Sequence, residues 1–170
     1  MRVVETAAIR AVVAGDADRL RQLRLRALAD APDAFGSSLE AELAHPQSEW
    51  LDLARRSERA DEVAVFAAVD GEHWVGMAGG HWYDRKEGVA GLWGMWVDPT
   101  ARGHGLGARL VATVHEWAAG HGARVLRLGA ISGEGDPTRF YERLGFAATG
   151  ESGTLRRDPT RAFRYLTRPV

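Results

Sequence analysis

The densest chemical signal in the chain is Val97-Asp98-Pro99-Thr100-Ala101-Arg102-Gly103-His104-Gly105-Leu106-Gly107-Ala108. An apolar run ends at Val97, Asp98-Pro99 turns the chain, three glycines alternate, and apolar residues then recur at helical spacing. Alternating glycines let backbone N–H groups approach an oxyanion with no Cβ in the way. The helix that follows adds its unpaired N–H groups and the positive end of its dipole. Arg102 could add a charge-assisted contact. The pattern suits a pyrophosphate cradle. The plainer alternative is a glycine-rich strand-to-helix turn without a ligand.

Three phosphate loops compete for this segment. A Walker A loop is excluded, because no Gly-Lys-Ser/Thr follows the glycines. Gly103-His104-Gly105-Leu106-Gly107-Ala108 does fit the dinucleotide pattern G-x-G-x-x-G/A. That pattern also needs an acid about 20 positions on, at the end of the next strand. Val125-Leu126-Arg127-Leu128-Gly129-Ala130-Ile131 carries none, and the first acid beyond it is Glu134. A nicotinamide-binding oxidoreductase is therefore disfavoured. The third candidate depends on residues further along the chain.

Other chemistries fail on composition or spacing. With no cysteine, disulfides, thiolate metal sites and cysteine nucleophiles are excluded together. His115-Glu116 does not open a zinc-protease helix, since Ala119 stands where the second histidine belongs. No G-x-S-x-G elbow exists, and the histidines do not cluster at metal spacing. No metal is expected.

The elements that must position the loop can be read from periodicity. Ile9 to Val13 reads as a strand, and Asp16 caps a helix running to about Ala29 with Leu20, Leu23, Ala27 and Leu28 on one face. Ala34 to Ser38 is a loop, Leu39 to Ala44 one helical turn, and Pro46 opens the next helix. Glu62 to Val69 and Trp74 to Tyr83 are strands joined by a tight Asp70-Gly71 turn. Val89 to Val97 is a third strand. Leu106, Leu110, Val114 and Trp117 mark a helix closed by Gly120 and Gly122. Arg124 to Ile131 is a strand, and Asp136-Pro137 opens a helix that stops at Gly145. Phe146 to Thr149 and Ala162 to Thr167 close the chain as strands. The order β-α-α-β-β-β-α-β-α-β-β predicts an α/β fold: a mixed, mostly antiparallel sheet of six or seven strands with helices on both faces. Trp50, Trp74 and Trp117 are expected in the core, and Arg156-Arg157 in a solvated turn.

Composition bounds the rest. At 170 residues the expectation is one domain spanning 1–170. The chain is 45% hydrophobic and 26% charged, which excludes a largely disordered protein. Twenty-two basic and twenty-three acidic residues leave a net charge of −1, arguing against a nucleic-acid partner. The longest apolar run, Val63 to Val69, falls far short of the ~20 residues a membrane span needs. Glu5 interrupts the amino-terminal segment, so no signal peptide is expected and the location is taken as cytoplasmic.

Arg102-x-x-Gly105-x-Gly107 resembles the Q/R-x-x-G-x-G/A acetyl-coenzyme A loop of the GNAT superfamily of N-acetyltransferases. Gly94-Met95-Trp96-Val97-Asp98-Pro99 is similar to that family's fourth strand. Arg139-Phe140-Tyr141-Glu142-Arg143-Leu144-Gly145-Phe146 is similar to its "FYEKLGF" segment. The motifs span about Leu92 to Phe146, in the right order, with one helix and one strand between them. Outside that span only the pattern of elements agrees.

The resemblance implies acetyl-coenzyme A as acyl donor and a primary amine, of a small molecule or a peptide, as acceptor. It implies that the strand ending at Val97 and the strand after Arg124 splay apart, with the pantetheine arm between them pairing with the backbone of Met95, Trp96 and Val97. Backbone N–H groups of Gly103, His104, Gly105, Leu106, Gly107 and Ala108 would hold the pyrophosphate, beside Arg102. The Val97 N–H would steady the oxyanion, and Tyr141 would protonate the departing thiolate. A buried helix aromatic packed beside Phe140 is the bland alternative for Tyr141. The family's usual asparagine falls on Glu134, and its alanine three later on Pro137. At Glu134 the chain thus departs from the family's cofactor contact: Ser132 could replace it, or Glu134 could face the acceptor.

No glutamate lies on the strand before the loop, so the general base stays open among His81, Tyr83, Asp84, Glu40 and Glu42. His81 is the natural titrating group. Phe35 and Ser37, in the loop between the first helices, and Trp93 with Met95, alternating on one strand, are expected to line the acceptor side. A non-catalytic acyl-coenzyme A sensor is the competing function. A homodimer through carboxy-terminal edge strands is plausible.

Overall fold

Along Val63–Asp70 every second side chain turns to the same side. Ala64, Phe66 and Ala68 join one apolar cluster, while Val65, Ala67 and Val69 join another. A strand apolar on both faces must lie inside a sheet covered on both sides. The computed structural model, which describes residues 7–170, shows that sheet. Glu5, on which the signal-peptide argument rested, lies outside the described residues.

The strands are β1 (Ala8–Ala11), β2 (Val63–Asp70), β3 (His73–Asp84), β4 (Val89–Val97), β5 (Val125–Ile131), β6 (Ala147–Leu155) and β7 (Asp158–Pro169). They form one seven-stranded sheet in the order β1-β2-β3-β4-β5-β7-β6. Every neighbouring pair is antiparallel except β4 and β5. The helices are α1 (Ala17–Asp30), α2 (Leu39–Leu43), α3 (Gln47–Arg59), α4 (Leu106–Gly120) and α5 (Thr138–Arg143). Helix α4 packs Leu110, Val111, Val114 and Trp117 into the cluster on one face. Helices α1 and α3 pack Leu20, Leu23, Leu28 and Trp50 into the other. Among the described residues no helix is long and apolar enough to cross a membrane.

Three local expectations need correction. Leu39–Leu43 is a helix of its own, capped by the Ser38 hydroxyl on Ala41 N–H, so three helices precede β2. Asp16 occupies the N-cap of α1 but does not cap it with its side chain. Its carboxylate instead takes two 2.8 Å bonds from Arg10 and one from Val13 N–H. The closing strands extend much further than their apolar cores, because β6 is exposed along most of its length and shows no burial alternation to read. Arg156 and Arg157 form the exposed turn at their tip, as expected, and Arg157 Nη2 also donates to the carbonyls of Pro32 and Phe35, both at 2.9 Å. Arg161 pairs with Asp33 beside it. The β6–β7 hairpin thereby straps the loop that follows α1.

Candidate active site

The site begins with a break in β4. Gly79 faces Trp93 and Met77 faces Trp96, so one β3 residue opposes both Gly94 and Met95. This is a β-bulge, and Gly94 adopts the left-handed φ of 64° that it requires. The extra residue reverses the alternation. Trp93 packs with the α1/α3 cluster and Met95 with the α4 cluster. Trp93 and Met95 therefore do not share a face as expected from simple alternation.

Beyond the bulge, Asp98 N–H donates to the Val75 carbonyl at 2.8 Å. Val97 opposes Gly76, one position earlier in the ladder. Antiparallel pairing alternates, so the Val97 N–H and C=O turn away from β3. On that side β5 has already left: β4 and β5 pair only from Val89↔Val125 to Gly91↔Arg127. The two strands splay, and a cleft of about 850 Å³ opens between them.

The glycine loop closes one end of this cleft. Gly103 and Gly105 hold left-handed φ values of 82° and 75°, and a Cβ on either would meet no atom within 4 Å. Gly105 is the N-cap of α4 and has no side chain to cap it. The first N–H groups of α4 are thus left for another acceptor. Gly107 serves a different purpose: its Cβ would lie 3.1 Å from the Phe140 ring, so glycine there lets α4 approach α5. Gly103, Gly105, Leu106, Gly107 and Ala108 all line the cleft. His104 is exposed and does not line it, and the Leu106 side chain is buried in the core. The Arg102 guanidinium is engaged elsewhere. Nη2 meets Asp30 at 2.6 Å and Nε donates to the Val97 carbonyl at 2.9 Å. Asp30 also accepts from Trp96 Nε1, at 2.9 Å.

Tyr141 reaches the cleft from α5. It is 6% exposed, packed edge-on between Phe140 and Phe146 with ring centroids 5.0 and 5.6 Å away. Among the described residues its hydroxyl has no hydrogen-bond partner, and it lines the cleft. Burial pushes its ionisation well above the ordinary tyrosine value. Glu134 lines the same cleft as an exposed side chain, with Gly135 and Pro137 beside it. Ser132 does not line it.

A second cavity, of about 490 Å³, lies on the α1/α3 face. Trp93 lines both cavities and forms their common wall. Leu20, Leu53 and Met77 give the second one apolar walls, and Glu49, Asp52 and Arg56 add charge. Arg24 and Glu42 also line it, and both are buried. Arg24 donates from Nε and Nη2 to the Glu42 carboxylate at 2.8–3.1 Å. Its guanidinium carbon stands 4.6 Å from the centre of the Phe35 ring.

Residues 24–146 match the model of the acetyltransferase (GNAT) family. The chain belongs to this family. It is 32% identical over 126 residues to a mycothiol acetyltransferase of Mycobacterium avium (strain 104), across 60% of this chain and 38% of that protein. It therefore spans well under half the length of the curated relatives it matches. Its fold is similar to a GNAT-family acetyltransferase from Streptococcus pneumoniae (TM-score 0.78, 19% identity, covering 96% of this chain and 99% of that one). It is also similar to the PaiA N-acetyltransferase from Thermoplasma acidophilum in complex with coenzyme A (TM-score 0.73, 14% identity, 97% and 99% covered).

Within this GNAT fold the other expected residues scatter. Phe35 is buried and lines the cleft, whereas Ser37 lines neither cavity. His81 also lines neither. Its ring covers Gly91, where a Cβ would come within 2.4 Å of it, and desolvation pushes its pKa down. Tyr83 is exposed and stacks with Arg127; the Asp84 carboxylate accepts the Glu87 N–H. Of the five candidate bases Glu42 alone lines the second cavity. Sequence reasoning missed Arg24, although its signal was present: it is the one charged residue in the stripe Leu20, Leu23, Ala27, Leu28. Among the described residues no three His, Cys, Asp or Glu side chains group as a metal site would need.

Proposed function

We propose that this chain, as a single domain, transfers the acetyl group of acetyl-coenzyme A directly to a primary amine. The observation that carries this reading is the gap between β4 and β5, open beyond Gly91↔Arg127 and ended by the left-handed glycines of the α4 cap. The residues present fit the donor. The Val97 N–H, turned from β3 where β5 has left, suits the amide-bearing pantetheine arm, while the Val97 carbonyl is held by Arg102; the uncapped α4 N-terminus with its open glycines suits the pyrophosphate. Met95, Trp96 and Glu134 stand along the same path.

In this reading the Val97 N–H, turned from β3 into the gap, stabilises the oxyanion that forms when the amine attacks the thioester carbonyl. The Tyr141 hydroxyl, kept protonated by its burial, delivers a proton to the departing thiolate. With no partner among the described residues, that hydroxyl is free to point at the sulfur. The donor occupies the β4/β5 cleft, and the acceptor enters from the second cavity, meeting it past Trp93. Small-molecule and peptide amines both remain within this class; the mycothiol acetyltransferase relative supports a small molecule. The donor's own location supports a cytoplasmic setting. β6, at the sheet edge, is the strand through which a homodimer would pair.

Thiol release with acetyl-coenzyme A and an amine panel tests the proposal. Amine-dependent release is the expected result. Tight donor binding without release from any amine would leave a sensor domain instead.

A further inference from the structure

The Arg24–Glu42 pair poses a question that donor chemistry does not answer. An arginine inside an apolar stripe is costly unless its donors are satisfied. Arg24 is only 8% exposed, yet Nη1 has no hydrogen-bond partner among the described residues. The guanidinium is otherwise fixed. Glu42 holds the edge formed by Nε and Nη2, and Phe35 covers the ring-like face at 4.6 Å. The remaining edge, Nη1 with the second Nη2 hydrogen, is the one suited to a second carboxylate.

That edge lies at the bulge. A Cβ built on Gly94 would stand 3.6 Å from Arg24 Nη1 and 3.4 Å from Met77 Cε. Met77, Trp93 and Arg24 all line the second cavity, and Trp93 separates it from the donor cleft. A second buried donor is carried by a residue lining the same cavity: Trp50, 5% exposed, leaves Nε1 without a partner among the described residues. Two buried, unpartnered N–H groups thus belong to residues that line one cavity; both suit an oxygen-bearing ligand, and an arginine edge favours an anionic, planar one.

We propose that Arg24 reads a carboxylate on the acceptor, so that the substrate is a free amino acid or another amine with a carboxylate close to its nitrogen. The inference rests on the acetyltransferase reading above. The carboxylate pairs with the unsatisfied guanidinium edge beside Gly94, which is buried until the ligand displaces the side chains over it. The amine, a few bonds away, then lies at the Trp93 wall, facing the thioester. The side chain extends into the cavity toward Leu53, Glu49 and Asp52. Glu42 keeps the guanidinium aimed and is a positioning residue.

The test compares free amino acids with their carboxamides and their decarboxylated amines, by thiol release, and measures donor affinity by calorimetry in parallel. The expected result is kcat/KM about 100-fold higher for at least one amino acid than for either of its analogues. Arg24→Met alone would strand the Glu42 charge, so the double variant Arg24→Met/Glu42→Leu removes both partners. It should bind acetyl-coenzyme A as the wild type does and reduce the preference to about threefold or less, chiefly through KM. Arg24→Lys, which keeps the charge and loses the planar edge, should fall between the two. Equal turnover of acid, amide and amine, or donor binding with no turnover of any amino acid, would overturn the carboxylate proposal while leaving donor binding intact. No donor binding at all would overturn the acetyltransferase reading and this inference with it.

Discussion

The β4/β5 cleft, proposed for the donor, and the second cavity, proposed for the acceptor, share Trp93 as a lining residue but are built from different materials. The cleft is made largely of backbone: a bulge at Gly94, the Val97 N–H turned away from β3, and a loop whose glycines hold left-handed φ. The acceptor cavity is made of side chains carried by α1, α2, α3 and the sheet: Arg24, Glu42, Trp50 and Met77. Backbone geometry restricts which residues can stand at a position, and so it leaves a pattern of types and spacings. A side-chain cavity restricts only shape and charge, and many residues supply either. The first kind of site can be read along one stretch of chain; the second has to be assembled in space.

Substitutions can break this contrast. The largest effect belongs to Gly105→Glu, which puts a side chain and a negative charge where φ is 75° and the loop is open. Donor binding should disappear in calorimetry, and an unchanged affinity would move the cradle elsewhere. Gly107→Ala sharpens the point. Gly107 needs no left-handed φ; a Cβ there would stand 3.1 Å from the Phe140 ring, which has to give by only a few tenths of an ångström. It should keep donor affinity within about threefold, since helix propensity gained offsets part of the crowding. Tyr141→Phe should lower kcat about 100-fold with donor affinity unchanged, the size expected for a lost general acid. Wild-type turnover would remove Tyr141 from the reaction.

The acceptor side should respond more gently to changes in its supports. Arg157→Ala removes two bonds to the carbonyls of Pro32 and Phe35. A loss of about 1 kcal/mol in denaturant unfolding is expected, with KM for the acceptor raised a few-fold. Asp16, which anchors the start of α1 to Arg10, gives the smallest and pH-dependent effect. The Arg10 guanidinium holds its carboxyl below the ordinary 3.8. A lowered carboxylate pKa stabilises the fold above the unfolded value, and that stability is lost as pH falls through the folded one. Asp16→Asn should therefore be destabilised relative to wild type at neutral pH. The gap should close as pH drops below 3.8.

What was legible in the chain follows the same division. Gly103-x-Gly105 and the strand before it marked the cleft because a positive φ and a close approach demand glycine. The α1 stripe was legible from Leu20, Leu23, Ala27 and Leu28, but Arg24 was not recognised as part of it, since an arginine ordinarily marks a solvated face. The reversal between Trp93 and Met95 could not be read from alternation, because a bulge is a matter of pairing with β3 rather than of local pattern. β6 escaped for a similar reason: its residues are held by β7 and face solvent, so no apolar period announces them. His81 attracted attention by its chemistry alone, and the sheet covers it over Gly91, away from both cavities.

The most direct test of the donor cleft is thermal unfolding with acetyl-coenzyme A, coenzyme A and NADH in parallel. A ligand at 100 times its dissociation constant adds about 2.7 kcal/mol to a folded domain, enough to raise Tm by several degrees. The account predicts that rise with both coenzyme A ligands and none with NADH. A rise with NADH alone, or with none of the three, would contradict it.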